Sequence, residues 1–212
     1  MNKNNKKIMV TFFIVALGVV AIVAIGALRQ KMGKNLFGVM NPRVKGNEKA
    51  PLKITEFIDF QCPACARGSI YLKKLIQDHP DLIRLELKYF PLRMHKHGEL
   101  SSFYAECAAR QGLFWPMHDL LIERQDQWKD LANAEPVFKA MTQQIKLETQ
   151  KLESCLKDEA VTKVIQTHKD EGGVLGVRST PTYFVNGEMV VGSNNLTDKI
   201  NAFLKEKGGN TP

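Results

Sequence analysis

Apolar and polar positions divide the chain into regions of distinct character. Ile8 to Leu28 (IMVTFFIVALGVVAIVAIGAL) is a run of 21 residues without a charge. That is long enough to cross a hydrocarbon core of roughly 30 Å at about 1.5 Å per helical residue. Residues 1–7 then read as a cytoplasmic tail and 8–28 as a transmembrane anchor. A cleaved secretory signal is the alternative, although its apolar stretch is typically only about 7–15 residues. Residues 29–50 hold three glycines, one proline and six basic groups with little periodicity, and read as a linker.

Beyond the linker, LKITEFIDF (52–60) is an apolar, aromatic-rich run of strand length. It meets CPAC and then a helical stretch, ARGSIYLKKLIQDHP, whose Ile70, Leu72, Leu75 and Ile76 supply an apolar face and whose Pro80 marks the stop. LIRLELKYF (82–90) alternates as a second strand, which completes a βαβ unit with parallel strands. Residues 97–173 carry helical spacing with breaks at Gly112, Pro116 and Pro136, which predicts four or five helices. TYFVNGEMVV (182–191) restores the strand pattern around Asn186-Gly187, a strong hairpin signal. An amphipathic helix near Leu196–Lys205 closes an α/β chain. The order is therefore a βαβ stretch over 51–91, a helical block over 92–173 and a ββα stretch over 174–207.

Charge changes this picture in one respect. The formal net charge of +8 suggests nucleic acid or a membrane surface. From Pro51 onward, however, 21 Lys and Arg face 21 Asp and Glu, so the excess belongs to the leader and linker. A nucleic-acid binder carries its basic patch on the folded domain, and no nucleic-acid partner is expected. Three basic groups on each side of the apolar run leave its orientation open. All four cysteines lie beyond the run, and an even count after an export-type segment favours an oxidising, extracytoplasmic compartment.

The candidate chemistry is Cys62-Pro63-Ala64-Cys65 at a strand-to-helix junction. One helical turn brings the second sulfur beneath the first. The first sulfur meets unpaired backbone N–H groups and the positive end of the helix dipole, which favours a thiolate suited to disulfide exchange. Pro63 suits the first helical turn, where its missing N–H would have no partner. Half of a zinc site looks the same, but zinc needs two more ligands, and Cys107 and Cys155 are single cysteines 48 residues apart. No metal is expected, and an inert structural disulfide at CPAC is the other bland reading. Thr180-Pro181-Thr182 precedes the returning strand, where a trans proline would be ordinary. Glu56 and Lys88 place charges inside strands expected to be buried, so they are either paired, functional or on a solvated edge. Phe114, Trp115 and Met117 read as core, His95, Lys96 and His97 as a solvated loop, and Trp128 carries no assignment.

Taken in order, EFIDFQCPAC, ELKYFPL, QGLFWPMHDLL and STPTYFVNG make the chain resemble the DsbA-like family of thioredoxin-fold oxidoreductases from about Val44 to Phe203. The resemblance implies a thioredoxin fold (βαβ…ββα) with an inserted helical domain behind a transmembrane helix. It implies that Cys62 is the exposed nucleophile, Cys65 the buried resolving cysteine and Pro181 a cis-proline opposite them. Pro63, Ala64, Thr180 and Thr182 would border the substrate, with the Thr180 backbone bonding an extended peptide. Glu56 and Lys88 would be the buried acid and its lysine partner serving proton transfer at Cys65. Cys107 and Cys155 would form a second, structural disulfide; free core thiols remain the alternative. One departure stands out: the family's most oxidising members carry histidine where this chain has Ala64.

The expected activity is thiol–disulfide exchange with cysteine-containing exported proteins, as an oxidase. No bound cofactor is expected beyond the redox-active Cys62–Cys65 pair. A quinone-linked membrane protein of the DsbB or VKOR kind would reoxidise it, at a bacterial inner membrane crossed once with the C-terminal domain in the periplasm. The alternatives are a reductase or isomerase on the same site, or an anchored, non-catalytic peptide-binding module.

Overall fold

The computed structural model describes residues 43–206. The apolar run over 8–28 lies outside them, and among the described residues no helix is long and apolar enough to cross a membrane. Five strands form one sheet in the order β1-β3-β2-β4-β5. These are β1 (Val44–Gly46), β2 (Leu52–Ile58), β3 (Ile83–Tyr89), β4 (Thr182–Val185) and β5 (Glu188–Val191). β2 and β3 run parallel, and the other three pairings are antiparallel.

Helix α1 (Pro63–Asp78) makes the crossover between β2 and β3. It buries Cys65, Gly68, Ser69, Leu72, Leu75 and Ile76 and ends before Pro80, since the residue preceding a proline disfavours helical backbone. Between the sheet's two halves lie α2 (Gly98–Ala109), α3 (Phe114–Glu123), the single turn α4 (Gln125–Trp128), α5 (Glu135–Gln144), α6 (Thr149–Cys155) and α7 (Glu159–Val174). After β5 comes α8 (Ser193–Glu206). The helical block thus has six segments, one more than the breaks in the sequence allow. The extra one is α4, a turn too short for periodicity to register.

β1 falls inside the stretch read as linker and corrects that boundary. Its three residues show no apolar alternation; only pairing of Val44 with Glu86 and Gly46 with Arg84 makes them a strand. Asn186 and Gly187 form the hairpin turn between β4 and β5 with φ of 50° and 88°. Two positive φ values suit Asn-Gly and few other pairs.

Register decides which face each strand residue serves. Glu56 sits opposite Leu87 and Tyr183, whereas Lys88 sits opposite Phe57. Side chains alternate across a sheet, so Glu56 shares a face with Ile54 and Ile58, and Lys88 lies on the other. Toward α1 and α8, Leu52, Ile54, Leu72, Leu75, Leu85, Tyr183 and Leu196 form one core. Ile58, Leu87 and Tyr89 lead into a second core with Tyr104, Phe114, Trp128 and Phe138 of the helical block. Fully burying one such side chain stabilises by about 1.5–3 kcal/mol. Phe114, Met117 and Trp128 are core as read or newly found, and Trp128 donates from Nε1 to the Leu121 carbonyl at 3.0 Å. Trp115 is only partly buried and donates to the Val44 carbonyl at 3.2 Å.

Candidate active site

The site grows out of the β2–α1 junction. Cys62 is the N-cap of α1, with extended backbone at φ −76° and ψ 121° and no side-chain cap bond. At 8% exposed it is buried rather than the exposed cysteine expected, because the Thr180-Pro181 segment packs against it. Pro63 opens the helix, the first turn holds no acid, and Ala66 N–H bonds the Cys62 carbonyl at 3.2 Å. The thiol therefore stands where helix N–H groups are unpaired by other side chains and favour negative charge. Cys62 and Cys65 are both free thiols, so the structure is the reduced state.

The two sulfurs are pushed in opposite directions. The hydrogen bond from the Cys65 thiol does most to lower Cys62; burial opposes it. The N–H groups of Cys65 and Ala64 and the side chain of Thr180 add to the lowering, and the result is about 5. Cys65 is buried, and that burial first, then the hydrogen bond to Cys62 and the charges of Glu56 and Cys62, hold its pKa well above the ordinary thiol range. A low-pKa first thiol and a high-pKa second one give a stable thiolate at Cys62 and a proton-binding sulfur at Cys65.

Thr180-Pro181 is a cis peptide bond. It faces the junction: the Cys62 thiol donates to the Thr180 carbonyl at 3.2 Å. The Thr180 hydroxyl is buried with no partner among the described residues, leaving it available to donate once Cys62 ionises. Pro63 is exposed and Ala64 half-buried beside Cys62. Thr182 departs from the expected substrate contact. It is 1% exposed, its hydroxyl donates to the Ser179 carbonyl at 2.7 Å, and its place in β4 sets it between Phe57 and Val191. Both sides are occupied by neighbouring strands.

Glu56 is fully buried, and neither carboxylate oxygen has a hydrogen bond of ordinary geometry among the described residues. Desolvation dominates and pushes its pKa up to about 8; the nearby Tyr183 hydroxyl lowers it somewhat, and the charge of Cys62 raises it. At neutral pH Glu56 is therefore mostly a protonated acid close to both cysteines. Lys88 is not its partner, contrary to the expectation. It lies on the opposite face of the sheet and pairs with Glu171 of α7. The sequence gives both charges, but only the pairing register separates their faces.

Several residues that the sequence left unremarked hold the junction in place. Asp59 is fully buried; its carboxylate accepts from Gln61 N–H at 2.8 Å and Leu92 N–H at 2.8 Å and meets His95 Nδ1 at 2.7 Å. Gln61 donates to the Lys129 carbonyl at 2.6 Å and accepts from His97 N–H at 2.5 Å. Gln125, on α4, donates to the carbonyls of Phe60 at 2.7 Å and Cys62 at 3.1 Å. His97 is 4% exposed and bonded to the Leu131 carbonyl at 2.8 Å, which corrects its reading as a solvated loop residue, and His95 is tied to Asp59. A charged residue three positions before CPAC, flanked by apolar strand, was the available signal for Asp59.

Cys107 of α2 and Cys155 of α6 form a disulfide with Cα atoms 5.7 Å apart. The second pair is thus a bridge between helices rather than two free core thiols.

A family model described as thioredoxin matches residues 39–206. Among solved structures, DsbA2 of Pseudomonas aeruginosa is 26% identical, covers 78% of this chain and 96% of its own, and superposes with a TM-score of 0.60. BdbD of Bacillus subtilis, in its oxidised form, is 21% identical, covers 77% and 92% respectively, and reaches a TM-score of 0.65, a likeness of fold. Among curated proteins, the Na(+)/H(+) antiporter NhaA 3 of Salinispora tropica is 31% identical over 180 residues, which is 80% of this chain and 26% of that protein. The chain spans about a quarter of the length of the antiporters it matches, so their transport activity does not transfer with the match.

Proposed function

The chain belongs to the thioredoxin family, and from that footing we propose that it is an extracytoplasmic thiol–disulfide oxidoreductase acting as an oxidase on exported proteins. The observation that carries this reading is the split between the two sulfurs, with Cys62 brought down to about 5 and Cys65 driven well up. Stabilising the Cys62 thiolate stabilises the reduced pair, and a pair whose reduced form is stabilised is the stronger oxidant.

In the oxidised state a substrate thiolate attacks Cys62 Sγ. A substrate–Cys62 bond forms, the Cys62–Cys65 bond breaks, and the electron pair leaves on Cys65. Glu56, protonated up to about pH 8, is placed to supply the proton that Cys65 then takes. The substrate's second thiolate attacks its own bonded sulfur and expels Cys62 as the favoured thiolate. Two substrate thiols become one disulfide, and the protein pair gains two electrons. The Thr180 backbone, whose carbonyl lies beside Cys62, would orient the incoming polypeptide, with Pro63 and Ala64 at its border.

A quinone-linked membrane protein would take the two electrons back. The uncharged run over 8–28 supplies the anchor in this reading. The Cys107–Cys155 bridge is of a kind that persists in oxidising compartments.

The test is equilibrium of the Cys62–Cys65 pair with a glutathione buffer. The oxidase reading expects a potential more positive than about −200 mV; a value near the −270 mV of thioredoxin would transfer the chain to the reductases.

A further inference from the structure

Beside the cysteines lies a hollow of about 300 Å³, bounded by Ala64 and Arg67 of α1 on one side and by the stretch from Val191 to Asn195 on the other. It adjoins the two landmarks of the exchange site. Ala64 is inside CPAC, Val191 pairs with Thr182, and Gly192 N–H bonds the Pro181 carbonyl at 2.9 Å. Within this lining Arg67 is the one charged residue. It is exposed, and its guanidinium has no ion pair or hydrogen bond among the described residues. Asn195 is committed to the Val191 carbonyl at 2.8 Å, while Asn194 is exposed. Neither α1 nor α8, whose starts border the hollow, has an acid in its first turn to offset the cation.

Helix rise sets the scale of the interval between Cys62 and this wall. Cys62 and Arg67 are five residues apart, a rise of about 7.5 Å along a helix. In an extended polypeptide, side chains two positions apart point the same way and are separated by roughly 6.8 Å. A residue two positions from the reacting cysteine covers an interval of the same order as that rise.

We propose that the hollow receives an acidic side chain of the substrate, so that polypeptides with Asp or Glu two residues from the reacting cysteine are preferred. The inference rests on disulfide exchange at Cys62 and adds the substrate class. Arg67 is a specificity residue in this scheme; the bonds made and broken are those of the exchange itself.

The experiment uses the full chain in detergent with Cys62–Cys65 oxidised. Single-cysteine peptides carry Asp, Asn or Lys two positions from the cysteine, and the rate of mixed-disulfide formation is read by quenching and mass spectrometry. Each rate is divided by that of the same peptide with glutathione disulfide, which removes differences in thiol acidity. The Asp peptide should exceed the Lys peptide by about two- to fivefold at low salt, as expected for a solvent-exposed ion pair, and the margin should shrink in about 0.5 M salt. Arg67→Glu should invert the order, Arg67→Lys should retain it, and moving the Asp to four positions away should abolish it. An Asp-to-Lys ratio unchanged in Arg67→Glu, or indifferent to the position of the acid, would overturn the inference while leaving exchange at Cys62 intact. If no peptide forms a mixed disulfide with Cys62, the exchange reading fails and takes this one with it.

Discussion

Glu56 and Cys62 titrate in opposite senses, and the stability of the reduced chain should register both. Glu56 has a folded pKa near 8, above its unfolded value. The stability tied to its proton is complete in acid and lost as pH rises toward 8, at about 1.4 kcal/mol per pH unit. Cys62 has a folded pKa near 5, below its unfolded value, so its contribution is gained as pH rises from about 5 to the ordinary thiol range. Between pH 5 and 8 the two slopes oppose each other. The neutral histidines His118 and His168, desolvated by burial, add a rise of their own below about pH 6.5 in parent and variant alike. Glu56→Gln removes the first slope and leaves the second, so the reduced variant should gain stability with pH more steeply than the parent. Urea unfolding at several pH values measures it, and parallel profiles would refute the assignment. A companion measurement is thiolate absorbance at 240 nm, which should rise with a midpoint near 5 and vanish in Cys62→Ser. The positions of Cys62, Cys65, Pro181 and Glu56 were legible because each stands out against its immediate neighbours. The separation of Lys88 from Glu56 was not, since a shift of one residue in pairing register moves a side chain to the other face.

Helix α1 approaches β4 so closely that a methyl group on Gly68 would come within 2.0 Å of the Tyr183 hydroxyl. Gly68→Ala should therefore destabilise by about 1–3 kcal/mol through overpacking. The Tyr183 hydroxyl has no hydrogen bond of ordinary geometry among the described residues, so Tyr183→Phe should cost little and make room for the methyl. In the double variant most of the loss should return; a simple sum of the two effects would place the clash elsewhere. The β2–α1 loop makes a second case. Asp59→Ala deprives Gln61, Leu92 and His95 of their acceptor and should cost roughly 3 kcal/mol in urea unfolding, since hydrogen bonds to charged groups contribute about 1.5–3 kcal/mol each. None of this lacing could be read beforehand. Gln61 meets Lys129 and Gln125 meets Cys62 across 68 and 63 residues of sequence, and a residue pattern carries no record of such distant partners. β1 was missed for a related reason, because its strand character comes from β3 rather than from its own three residues.

The bridge between α2 and α6 closes a separation of 48 residues. Replacing Cys107 and Cys155 together by Ala should lower stability by up to roughly 4 kcal/mol on the chain-entropy account, without changing the thiolate titration of Cys62. Under native conditions mild reductant should expose two alkylatable thiols, Cys62 and Cys65; four would show that the bridge is open to exchange. The family, the order of elements and the inserted helices were all foreshadowed by the motifs and their sequence, because each spans a contiguous stretch. What those motifs did not convey is how the insertion and the sheet share the reactive loop. The side chains of Asp59 and Gln61 reach out to Leu92, His95 and Lys129, while Gln125 reaches back to Cys62. Paring the chain down to strands β2–β5 with α1 and α8 would not preserve the CPAC loop as it stands. It would leave the buried Asp59 carboxylate with the Gln61 N–H alone of its three partners and release the Cys62 carbonyl from Gln125, so the helical block is a structural half of the CPAC loop and not an ornament upon it.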